Sequence, residues 1–220
     1  MYKALISVVS MASLAACGGS GGGDGEFNTG PDFDALGNAA IEALDGFDAA
    51  YTEGWSPYSA VVAEPEGDSI YEGVAVVVTG PAPEGLVELP EYAAVGSFEV
   101  TANFGEATVI GAADGFFEIE NPGIALDVAD GDADPTDLVN AGSIEGSFAF
   151  DLDIVNKIDF AAATGSVVGS LTAIDDTLVA IDDADAQGSF VGDDLDAFQV
   201  IGSEAIEGED AVNIFAVGLR

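Results

Sequence analysis

Histidine is absent from all 220 residues, and lysine and arginine together number 3 against 41 acids. Without imidazole there is no serine–histidine nucleophile, no histidine proton shuttle and no histidine-ligated zinc. So few cations also exclude a nucleic-acid surface, because displacing counterions from phosphates takes lysine and arginine. A polybasic grip on anionic lipid is excluded on the same ground. Cysteine occurs once, at position 17, which leaves no disulfide within the chain. The apolar run from Ala4 to Ala16 is about 13 residues, short of the roughly 20 that a membrane-spanning helix needs.

What is present begins with that run. Met1, Tyr2 and Lys3 precede it, and Leu14-Ala15-Ala16-Cys17-Gly18 closes it. A basic start, a short hydrophobic core and small residues before a cut describe an export signal over residues 1–16. Leucine, two small residues and cysteine resemble the lipobox of bacterial lipoproteins. The resemblance implies that Cys17 is acylated, with palmitate-type chains, and becomes the mature terminus. Several acyl chains hold a protein firmly to a bilayer. Gly18 stands where the inner-membrane retention aspartate of that family would be. This implies a lipid-anchored protein of the outer membrane, on its periplasmic or its cell-surface face. The alternative is a free cysteine in an ordinary cleaved leader. Gly18 to Gly25 has nothing to bury and reads, with the residues up to Asp32, as a polar tether.

The formal charge of -38 admits two readings. Acids spread along a whole chain suit a solvated surface in salty water, where screening relieves their repulsion. Calcium would instead gather them into oxygen-rich loops. Asp130, Asp132 and Asp134 alternate like the start of an EF-hand loop, but Pro135 replaces the turn glycine and Ala141 the closing glutamate. Asp183, Asp185 and Asp194 have Gly188 in place, yet Ser189 to Val191 reads as strand. Both stretches read equally as acidic turns, and no other cofactor is indicated. Asp175-Asp176 and Asp182-Asp183 read as solvated loop pairs. No enzyme chemistry is assigned, since a carboxylate pair carries no information among so many acids.

Residues 33–220 read as a single domain. Phe33, Leu36, Ala40 and Leu44 predict a short helix over Asp32 to Phe47, with Gly46 as its stop. From there the period falls to two. Ile144, Gly146, Phe148, Phe150, Leu152 and Ile154 alternate with Glu145, Ser147, Ala149, Asp151 and Asp153, so one face is apolar and the other wet. Ser97 to Phe104 repeats this design. Further strands are expected at Tyr58–Ala63, Ile70–Val78, Ala107–Ala112, Phe116–Glu120, Ile158–Ala163 and Ser166–Thr172. Three more follow at Ala184–Val191, Phe198–Ile201 and Ala211–Leu219. Turns are expected at Asn103-Phe104-Gly105-Glu106, Ala113-Asp114-Gly115 and Thr164-Gly165. Strands with one wet face must close or stack, which predicts an all-β fold. The expected form is an antiparallel up-and-down β-barrel of about eight strands, preceded by a short helix or arm, with a sandwich as the alternative. Gly73, Gly146, Gly169 and Gly192 would permit the sharp coiling a small barrel needs.

Tyr71-Glu72-Gly73, the run from Gly96 to Gly111, and Ala186-Gln187-Gly188-Ser189-Phe190-Val191-Gly192 resemble the barrel of transferrin-binding-protein-like lipoproteins. The resemblance extends from Tyr71 to Arg220, with Phe198-Gln199-Val200 and Asn213-Ile214-Phe215-Ala216 as its closing strands. It departs from the family at Asp193 to Phe198, which lacks the usual proline and paired glycine. The resemblance implies a non-enzymatic barrel that binds a protein or an iron- or haem-carrier ligand. The competing reading is a structural, salt-adapted acidic coat without a specific small ligand, or a weak calcium binder. Tyr51, Trp55 and Tyr58 lie close together before the first firm strand. They either plug one barrel end or form a recognition surface.

Overall fold

The computed structural model describes residues 33–63, 67–82, 87, 90–129, 137–157, 160–206 and 210–220. The leader, Cys17, the tether and Asp130, Asp132 and Asp134 lie outside the described residues. Helices α1 (Phe33–Glu53) and α2 (Tyr58–Ala63) come first, followed by strands β1 (Asp68–Pro81), β2 (Tyr92–Asn103) and β3 (Thr108–Ile119). Helix α3 (Pro122–Ala129) and the short β4 (Asn140–Ser143) precede β5 (Glu145–Lys157) and β6 (Phe160–Thr172). Strands β7 (Leu178–Val191), β8 (Ala197–Ala205) and β9 (Asp210–Leu219) complete the fold.

All strand pairings are antiparallel. Around the ring β1 to β3 and β5 to β9 each meet the next in turn, β5 lies beside β3, and β9 returns to β1. The result is a closed up-and-down barrel of eight strands, with β4 added outside the ring on β3. Closure removes every free ladder edge from the ring, which a sandwich would have left open.

Two apolar layers hold it together. The inward positions of β5, namely Phe148, Phe150, Leu152 and Ile154, are buried among Phe98, Phe116, Phe190 and Phe198 from other strands. A second cluster lies outside the barrel. In α1, Leu36, Ala39, Ala40, Ala43, Leu44, Phe47 and Ala50 recur every three or four residues, so they form one buried stripe. That stripe covers outward residues of the sheet, including Val74, Val78, Val95, Ala197 and Val217. This cover explains why β1 and β9 are buried on both faces while β5 alternates.

Several sequence expectations are corrected. Helix α1 does not stop at Gly46. A Cβ there would collide with the Leu219 side chain, so the glycine serves close packing where the helix crosses β9. The helix ends at Gly54 instead, whose φ of 101° supplies the left-handed cap. Tyr58–Ala63 is helix, not strand. Pro57 opens it, with Ala60 N–H donating to the Pro57 carbonyl at 2.9 Å. The strands expected at Ala107–Ala112 and Phe116–Glu120 are two parts of one continuous β3, Thr108–Ile119, and Ala113-Asp114-Gly115 is no turn. Gly115, at φ 62°, forms a bulge where the register with β2 shifts between Val95 and Ser97. Likewise Phe160–Ala163, the described part of the expected Ile158–Ala163, and Ser166–Thr172 are parts of one β6, with Gly165 paired to Leu152 mid-strand. Asp182 and Asp183 are not loop residues but a second bulge in β7, opposite Val168. The turn at residues 104–107 agrees with expectation, Glu106 N–H donating to Asn103 Oδ1 at 2.8 Å.

Candidate functional site

The barrel interior is a packed core. Phe190 stands 4.8 Å from Phe198 and 5.8 Å from both Tyr71 and Phe104, measured between ring centroids. Deeper in, Phe98 meets Phe150 edge-on at 5.4 Å and Phe116 meets Phe148 at 5.9 Å. Tilted and edge-on pairs are the favourable geometry for aromatic rings. Tyr71 carries the one hydroxyl in this cluster and donates it to the Leu195 carbonyl at 2.8 Å.

One barrel mouth is plugged by the segment after α1. Ser56 N–H donates to the Phe190 carbonyl at 3.0 Å, and Ala161 N–H donates to the Ser56 carbonyl at 2.8 Å. The Ser56 hydroxyl donates to the Gly192 carbonyl. Val61 of α2 then inserts among the core side chains. The three aromatic candidates are divided here. Tyr51 and Trp55 meet edge-on at 5.5 Å and belong to the outer cluster beneath α1. Tyr58 packs against the inner core. All three are half-buried.

The acidic candidates are also apart. Asp183 and Asp185 are exposed on β7, while Asp194 sits in the turn beyond it. From Asp185 to Val191 the chain is extended, a span of roughly 20 Å at about 3.3 Å per residue. No cluster of three or more potential metal ligands occurs among the described residues.

At the opposite barrel end, Tyr92 points its phenol inward between Glu118 and Asp175. Its hydroxyl is buried and makes no hydrogen bond among the described residues. Burial, then the charges of Glu118 and Asp175, push its pKa well above the usual tyrosine range. The native state therefore keeps a proton that the unfolded chain loses from about pH 10. Stability should fall as pH rises above that point, because the unfolded state then binds fewer protons. Denaturant titrations between about pH 9 and 11 should show a shallower loss for Tyr92→Phe than for the parent. Equal slopes would disprove the assignment.

A groove of about 890 Å³ runs along the outside of the barrel, between α1 and the outer faces of β1, β2 and β3. Ala39 and Ala43 of α1 line it on the helix side, and Leu219 and Arg220 line it as well. On its floor Ile70, Thr101 and Ile110 lie in register across the three strands. The two isoleucines are 52% and 55% exposed, high for side chains of their size. The next row places Glu72 directly opposite Glu99, with Ala112 beyond. Ser97 then donates to both the carbonyl and the Oδ1 of Asp114, each at 3.1 Å. The sequence reading missed this groove. Its signal was phase: Ile70 and Ile110 are apolar at positions where the alternation demands the wet face.

No family model matches the chain, and no curated protein matches it. Among solved structures it is similar to the vaccine antigen transferrin binding protein B from Haemophilus parasuis Hp5, in two mutant forms. The single mutant gives 11% identity and a TM-score of 0.42, covering 75% of this chain and 28% of that one. The double mutant gives 12% and 0.38, covering 75% and 27%. The chain thus spans little more than a quarter of the length of those proteins.

Proposed function

We propose that this protein is a non-enzymatic, lipid-anchored envelope protein whose barrel binds a partner protein on its outer surface. The observation that carries this reading is the filled interior. With Phe98, Phe116, Phe148, Phe150, Phe190 and Phe198 all fully or almost fully buried inside the ring, a ligand is left the outer wall and the rims. The lipobox-like Leu14-Ala15-Ala16-Cys17 supports the anchor, and the polar tether after it supports a body held clear of the lipid. An iron- or haem-carrying partner is the specific form of this reading that the sequence resemblance implies.

The test joins anchor and partner. Cells expressing the full chain or Cys17→Ser are fed an alkyne fatty acid and fractionated. The parent should carry the label in the membrane fraction, and Cys17→Ser should be unlabelled and released. An unlabelled parent overturns the anchor. The immobilised full chain is then exposed to spent medium from iron-limited and iron-replete growth. Retention of a protein from the limited medium alone supports carrier binding. Retention of none from either overturns the binding reading in favour of an acidic coat.

A further inference from the structure

The geometry points to a defined occupant for the outer groove: a basic amphipathic segment of the partner protein. This deepens the proposed function and rests on it. The apolar half of the argument is the floor. Ile70 and Ile110 flank Thr101 in one cross-strand row, and both stand more than half exposed. Continued around the barrel, the same row holds Asp151, Ser166 and Asp185, which are ordinary wet-face residues. The apolar pair is therefore confined to the stretch of wall that α1 borders.

The polar half is charge. Glu72 and Glu99 face each other across neighbouring strands, an arrangement that destabilises a sheet. Asp114 lies along the next row and Glu42 on the helix wall. Lysine or arginine ammonium and guanidinium groups laid beside isoleucine-contacting side chains would relieve that repulsion while burying the exposed isoleucines. A second copy of this chain fits badly, because it brings acids in large excess over its 3 bases. The cations must come from another protein. Spacing agrees: the isoleucine row and the glutamate row are two residues apart along each strand, about 7 Å. An occupant that alternates apolar and basic groups meets both rows at once.

A strongly acidic protein attracts any cationic peptide, so the test compares position rather than charge alone. The probe is a synthetic, fluorescein-labelled peptide of alternating lysine and leucine, titrated with the full chain at ~0.15 M salt, where distant charges are screened. A lysine–serine peptide of equal length and charge is the companion. Glu72→Gln/Glu99→Gln and Ile70→Ser/Ile110→Ser should each weaken lysine–leucine binding about tenfold. Asp183→Asn/Asp185→Asn removes the same charge elsewhere on the wall and should change it less than about twofold. The lysine–serine peptide should bind about tenfold more weakly to the parent. The glutamine variant relieves like-charge repulsion, so its thermal midpoint should hold or rise, which separates lost binding from lost folding. Equal losses in the groove and control variants, or equal binding of both peptides, overturn the groove. A natural partner captured equally well by the parent and by Glu72→Gln/Glu99→Gln also overturns it, and leaves the proposed function standing.

Discussion

Phe190→Ala should destabilise the protein by about 3–5 kcal/mol, the range for truncating a fully buried phenylalanine. In a domain of this size that lowers the thermal midpoint by roughly 10 °C. The ring has no exposed surface and sits among Tyr71, Phe104 and Phe198 at the plugged mouth. Its loss opens a cavity that neighbours on two other strands and a turn cannot close together, because the ring of hydrogen-bonded strands fixes their spacing. Phe117→Ala is the comparison. Phe117 lies outside the barrel, half-buried, edge-on to Phe33 at 5.5 Å. It should cost about 1–2 kcal/mol. Chemical denaturation of the two variants checks both values, and a Phe190→Ala loss below that of Phe117→Ala would refute a packed interior.

Gly146→Ala should cost about 3 kcal/mol or more, although the position is exposed. Gly146 adopts φ 130°, a conformation closed to other residues. A Cβ would also run into the Ser170 carbonyl oxygen of β6, where the two strands are tightly coiled. Backbone must move, and the ladder from Glu145 to Lys157 is disturbed with it. Ser147→Ala, one residue along, should stay within about 0.5 kcal/mol. Matching unfolding curves for Gly146→Ala and Ser147→Ala would show that the strand tolerates a side chain there.

These two positions also show what was legible beforehand. The alternation from Ile144 to Ile154 named the inward phenylalanines correctly, because a wall with one wet and one dry side writes itself as period two. The helical stripe of α1 was equally plain. Closure was not a local property: pairing of β1 with β9 depends on residues far apart, and a sandwich satisfies the same pattern. The misread turns have a common cause. Gly115 lends a bulge the left-handed backbone that a hairpin would use, and Gly165 lacks the Cβ that would collide with the Asp151 carbonyl of β5. Tyr58–Ala63 is too short and too apolar for periodicity to separate strand from helix, and only its place in the barrel mouth decides. Of the candidate site, the aromatic trio was visible but its division between two cores was not. The groove was hidden because it joins a helix to three strands, and only the misplaced phase of two isoleucines announced it.

The pairing of β1 with β9 reaches beyond stability. Glu72 is partnered by Leu219 and Pro81 by Asp210, so the first strand waits for the last. Loop-closure entropy makes such distant partners slow to meet. Until they do, the folding chain exposes two unsatisfied sheet margins, one on β1 and one on the newest hairpin. Dense negative charge then acts kinetically, keeping neighbouring unfinished chains apart while each waits for its own final strand. The acidity that reads as surface chemistry in the finished molecule is also protection during its assembly.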